Sequence, residues 1–166
     1  MGTVFDEKVP VLPWMVSIYF GSYVFWLFLY DDRLQISGED TDRFFYADLI
    51  GKAICAGLFI LVPTTMLRPA VTGTGLWCRA LSLLYRMDSP VNLFPSIHCF
   101  NSWLCWIGIR SRTDRKRTMK LFTLASVIAI CFSTLAIRQH VIADVAGGIL
   151  LAEFCYGVTG VFLKKS

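Results

Sequence analysis

Five apolar runs separated by short polar stretches set the pattern of the chain. The first covers 14–30, with Trp14 and Tyr30 where interfacial rings anchor a membrane helix. After the polar stretch 31–43, a second run covers 45–62. Asp48 and Lys52 stand four residues apart near its start, a spacing that lets them pair on one helix face. Pro63 and the Arg68-Pro69 step end it. The third run, 93–109, is short for a span: at 1.5 Å per residue it covers about 25 Å, so it is expected to start inside the membrane boundary. The fourth and fifth runs, 121–137 and 141–163, are separated only by Arg138-Gln139-His140. Between the second and third runs, 75–88 reads as a surface helix with Trp77, Leu81, Leu84 and Tyr85 on one side and Arg79, Ser82 and Arg86 on another. The prediction is an all-α, multi-pass transmembrane helix bundle of about five spans, with residues 1–166 forming a single integral-membrane domain.

Composition makes the bilayer the solvent. The chain is 55% hydrophobic and 17% charged, with a mean hydropathy of +0.58, well outside the averages for a soluble domain. The six cysteines are scattered through apolar stretches without the close spacing of zinc or redox sites, and read as free thiols. No group of carboxylates has metal-ligand spacing either, so no cofactor and no metal are expected. The stretch 1–13 lacks the basic start of a signal peptide, and the first apolar run is expected to stay in the mature protein.

The placement of charge says more than the net +4. Six of the sixteen lysines and arginines fall in 110–120, Arg33 and Arg43 lie in the first polar loop, and Lys164 and Lys165 follow the last run. Alternation of five spans puts all three groups on one face. By the positive-inside rule that face, with the C-terminus, is cytoplasmic. A nucleic-acid surface is excluded, because no interleaved aromatics or binding motif accompany the basic run. The same alternation carries Arg68, His98 and His140, and so both histidines of the chain, to the extracytoplasmic face.

Those residues carry chemistry. His140 and Asp144 are four apart, so on a helix they share a face and the carboxylate fixes the imidazole tautomer, which makes the other ring nitrogen a better nucleophile. A purely structural His-Asp bond is the plainer alternative. In Phe94-Pro95-Ser96-Ile97-His98, Ser96 is a good N-cap and Pro95 a natural helix boundary. A helix starting there points free N–H groups and its positive dipole end at an anion, with the Ser96 hydroxyl and the His98 ring in the same turn. The Arg68 guanidinium suits a phosphate through paired hydrogen bonds, although arginines at span ends often only reach toward head groups.

In this order and spacing, Arg68-Pro69, Pro95-Ser96-Ile97-His98, and Ser133 with His140 and Asp144 resemble the motifs of the type 2 phosphatidic acid phosphatase (PAP2) superfamily. The stretch Asp88-Ser89-Pro90-Val91-Asn92, and Arg138-Gln139-His140, look like the branch with inositolphosphotransferase-like members. Two positions depart from the pattern: Leu61 stands where the family has a lysine, and Thr134 where it has an arginine. Arg138, two residues before His140, is a candidate replacement for one missing cation, provided the chain is not helical between residues 137 and 140; anchoring the span end is the alternative. The family usually has six spans; this chain is expected to lack the first, which would put its N-terminus on the extracytoplasmic side.

The resemblance implies a metal-independent reaction on a lipid phosphate. His140, oriented by Asp144, attacks phosphorus to give a phosphohistidine; His98 protonates the leaving alkoxide; Arg68, Ser96 and Arg138 hold phosphate oxygens. Hydrolysis by a lipid phosphate phosphatase is the leading expectation. The alternatives are a phosphotransferase that passes a phospho head group to another lipid alcohol, and a non-catalytic membrane protein.

Overall fold

The computed structural model describes residues 3–36 and 38–163. Among them run α1 (Val4–Lys8), α2 (Val16–Leu34), α3 (Glu39–Leu61), α4 (Leu76–Met87), α5 (Ile97–Arg110), α6 (Arg117–Ala136) and α7 (Ile142–Leu163), with a 3-10 turn, Pro13–Met15, leading into α2. Proline suits the start of that turn because the N–H it lacks would have no partner there. Gly38, at φ 130°, provides the left-handed backbone from which α3 starts, and Glu39, Asp40 and Asp42 face the positive end of the new helix. No strand forms among the described residues; Thr65 and Val91 make one isolated antiparallel bridge.

The chain is an all-α membrane helix bundle. α3, α6 and α7 are each long and apolar enough to cross a membrane. The first run, expected to end at Tyr30, continues as helix through Asp31, Asp32 and Arg33. The third is a helix of 14 residues, about 21 Å long. It is also the innermost: α5 packs against α2, α3, α6 and α7, and Phe100, Leu104, Ile107 and Ile109 are buried along it. Two glycines permit this closeness. A Cβ at Gly148 of α7 would lie 2.5 Å from the Ser96 carbonyl oxygen, and one at Gly51 of α3 would lie 2.1 Å from the Phe100 ring. Leu27, Phe28, Phe122, Leu150, Phe154 and Phe162 point outward, the arrangement that lipid, not water, solvates.

At the end of the bundle where α2 stops and α3 begins, Asp32 accepts from Arg112 at 3.1 Å and from Arg115. The basic stretch 110–120 therefore shares this end with Arg33 and Arg43, while Lys164 and Lys165 lie outside the described residues. Arg33 is not in a loop as expected: it sits in the last turn of α2 and is 2% exposed. At the opposite end, α4 occupies the predicted surface position. Leu81 and Leu84 pack on Met15, Val16, Tyr19, Ala136 and Ile137, Arg79 and Arg86 are exposed, and Trp77 is 44% exposed instead of turning inward with them.

Candidate active site

Residues 19, 22, 23 and 26 of α2 recur at helical spacing and so share one face. That face meets His98 in the first turn of α5. The imidazole stacks on the Tyr19 ring at 4.0 Å between centroids, with Tyr23 and Trp26 edge-on at 5.4 and 4.5 Å. Its Nε2 lies 2.7 Å from the Ser22 hydroxyl. Ser22 donates its own proton to the Tyr19 carbonyl at 2.6 Å, so toward His98 it accepts, and Nε2 carries the hydrogen. His98 is thus fixed in plane, in tautomer and in contact.

His140 lies just before α7, which begins at Ile142, and so pairs with Asp144 as part of a helix cap and not along a helix face. Its Nδ1 is 3.3 Å from Asp144 Oδ2, the same oxygen that accepts from the Val141 N–H at 3.0 Å. Asp144 is 1% exposed, and its carbonyl accepts from the Ser96 N–H at 3.1 Å, which ties the start of α5 to the start of α7. The stretch after α6 is non-helical: Arg138 has φ 54°, and the Thr134 carbonyl receives both the Gln139 and His140 N–H groups, at 2.9 and 3.2 Å. Thr134 therefore shapes the histidine turn with its backbone while its side chain, fully buried, bonds to Cys131.

His98 and His140 line one cavity of about 340 Å³ together with Tyr19, Tyr23, Trp26, Asp88, Ser89, Asn92, Asn101 and Gln139. Three expected phosphate ligands are placed elsewhere. Arg138 turns its guanidinium away, onto the carbonyls of Asp6, Glu7 and Val9, because a left-handed residue at this position directs its side chain to the N-terminal segment. Ser96 is fully buried, and its hydroxyl caps α5 by accepting from the Cys99 N–H at 3.3 Å. Arg68 lies beside the cavity but faces protein. Nε donates to the Arg138 carbonyl at 3.2 Å, one terminal nitrogen to the Asp88 carbonyl and the other to Gln139 Oε1, with the Asp88 carboxylate 3.7 Å away and the Tyr85 ring 4.9 Å away. The cavity wall thus carries one carboxylate and, among the described residues, no lysine or arginine.

Sequence reasoning missed Tyr19, Ser22, Asn101 and Gln139. The helical spacing of the α2 residues was a signal, but in an aromatic-rich span it reads as ordinary lipid-facing surface.

Two histidines and a buried carboxylate thus gather over a cavity at one end of an all-α membrane bundle. A family model described as the PAP2 superfamily matches residues 49–158, from the middle of α3 into α7. The chain belongs to the PAP2 superfamily, a family of phosphatase-type enzymes of lipid phosphates. The match contains Arg68, both histidines and Asp144, whereas the α2 residues around His98 precede it. It reaches the superfamily and no particular branch of it. Neither a curated protein nor a solved structure matches the chain.

Proposed function

We propose that this chain is a single-domain, metal-independent lipid phosphate phosphatase with its active site on the extracytoplasmic face. One observation carries the reading: both histidines line one cavity, and one of them is held by a buried carboxylate. His140, with Nδ1 on Asp144, presents Nε2 to phosphorus. The N–P bond forms as the P–O bond to the lipid alkoxide breaks, and the alkoxide takes a proton from the imidazolium form of His98, which is left as the neutral ring. Water then attacks the phosphohistidine, gives a proton back to His98, and releases inorganic phosphate. The concentration of lysine and arginine at the other end of the bundle supports the orientation.

A second reading, transfer of a phospho head group to another lipid alcohol, is favoured by the cavity wall. With one carboxylate and no lysine or arginine among the described residues, it suits a singly charged phosphodiester better than a doubly charged phosphomonoester. Purified protein should release phosphate from at least one of phosphatidic acid, lysophosphatidic acid, phosphatidylglycerol phosphate and a polyprenyl diphosphate, in the presence of EDTA. Release of a diacylglycerol from a phosphodiester lipid only when a lipid alcohol is added would select the second reading. Inactivity in every arm would defeat both.

A further inference from the structure

Gln139 is 1% exposed, stands next to His140 in sequence and lines the histidine cavity. Its carboxamide is half satisfied. Oε1 accepts from Arg68, whereas Nε2 is buried without a partner among the described residues. An amide nitrogen left in that state is unfavourable, and such groups persist where something else completes them. Arg68 has only donors, so it fixes which end of the carboxamide it takes: the oxygen turns to the guanidinium, and the N–H₂ group is left as the unpaired end. Among the described residues no lysine or arginine lines that wall to supply the guanidinium that Thr134 lacks.

We propose that Gln139 Nε2 donates a hydrogen bond to an equatorial oxygen of the phosphoryl group in flight to or from His140, a neutral ligand in place of the absent guanidinium. Arg68 is a positioning residue in this arrangement. It does not touch the substrate but holds the carboxamide from flipping and, through the Arg138 carbonyl, the turn that carries it. The role rests on the phosphoryl-transfer reading above. Charge builds on those oxygens in the transition state, where a donor fixed in advance has its largest effect.

Gln139→Glu tests it, because glutamate keeps an acceptor for Arg68 and removes the N–H₂ donors. The ligand role predicts a fall in kcat/KM of about 10- to 150-fold, the range for one hydrogen bond to a charged group, and loss of inhibition by orthovanadate, with thermal unfolding unchanged. Should glutamate fail to fold, Gln139→Met removes the donors without adding charge and carries the same expectation. Arg68→Lys should lower kcat more than it raises KM, because it disturbs the aim of the donor and not the docking of the lipid. Wild-type kinetics and vanadate inhibition in a folded Gln139→Glu or Gln139→Met variant would overturn the ligand role alone. A wild-type protein that releases phosphate from no lipid and is not stabilised by orthovanadate would overturn the phosphoryl-transfer reading with it.

Discussion

Ser22 accepts a hydrogen bond from His98 Nε2–H at 2.7 Å and donates its own to the Tyr19 carbonyl at 2.6 Å, so a helix outside the family match sets the tautomer of a histidine within it. Ser22→Ala removes that acceptor while leaving the ring stacked on Tyr19. The expected result is a kcat reduced about 3- to 10-fold, the equivalent of one neutral hydrogen bond, with KM little changed. Steady-state kinetics on a lipid substrate measure it, and equal loss in kcat and gain in KM would show instead that Ser22 only supports packing.

His98→Ala and His140→Ala should each abolish turnover with expression and helicity retained, since both side chains line the cavity. Labelled lipid phosphate should also leave an acid-labile phosphoramidate on the protein when the second step is slowed, as in His98→Ala with an activated leaving group. An acid-stable adduct would move the nucleophile away from histidine.

Arg138 is expected to matter for stability and not for chemistry. Its guanidinium binds the carbonyls of Asp6, Glu7 and Val9, the last at 2.8 Å. Arg138→Ala should lower the unfolding temperature, by the loss of about 1–3 kcal/mol of charged hydrogen bonding, and leave kcat/KM within about 3-fold of wild type. Arg138→Lys should recover part of the loss, since a single ammonium cannot reproduce the fork. A fall in kcat/KM beyond 10-fold without a change in unfolding would restore it as a phosphate ligand.

Asp6 supplies the pH dependence of the same N-terminal strap, the segment that Arg138 and Ile142 hold. Burial pushes its carboxyl up, but hydrogen bonds from the Ile142 N–H, at 2.7 Å, and from Thr3, with the charge of Arg138, outweigh this and hold it below its ordinary value of 3.8. A folded pKa below the unfolded one means that the stabilisation is complete above about pH 4 and is lost as pH falls through the folded value. Acid unfolding followed by circular dichroism should therefore begin at higher pH in Asp6→Ala, which also leaves the start of α7 uncapped at a cost of about 1 kcal/mol. An unchanged acid limb would show that the contact contributes nothing.

The apolar runs and the two histidine motifs were legible in the sequence because each depends on local spacing: run length for α3, α6 and α7, a proline and a cap for α5, a four-residue interval for His140 and Asp144. What could not be read were directions. Whether Arg138 faces the cavity or the strap turns on one left-handed residue and on carbonyls 129 to 132 residues away. Arg68 looked free to grip phosphate because its acceptors, Asp88, Arg138 and Gln139, are 20 to 71 residues distant. The partners of His98 belong to α2, Ser22 among them 76 residues upstream, where an aromatic-rich stripe does not show what it will touch.

The bond between Asp6 and the Ile142 N–H closes a loop of 136 residues around the rest of the bundle. Contacts of such range are the slowest to form, because they lose the most chain entropy before returning any energy. The histidine turn is fastened by that bond from one side and by Arg68 from the other, so it reaches its final shape only after the last helix has been inserted and has met residues made long before it. A growing chain thus holds its two histidines in separate, unfinished surroundings until α7 has met the N-terminal segment.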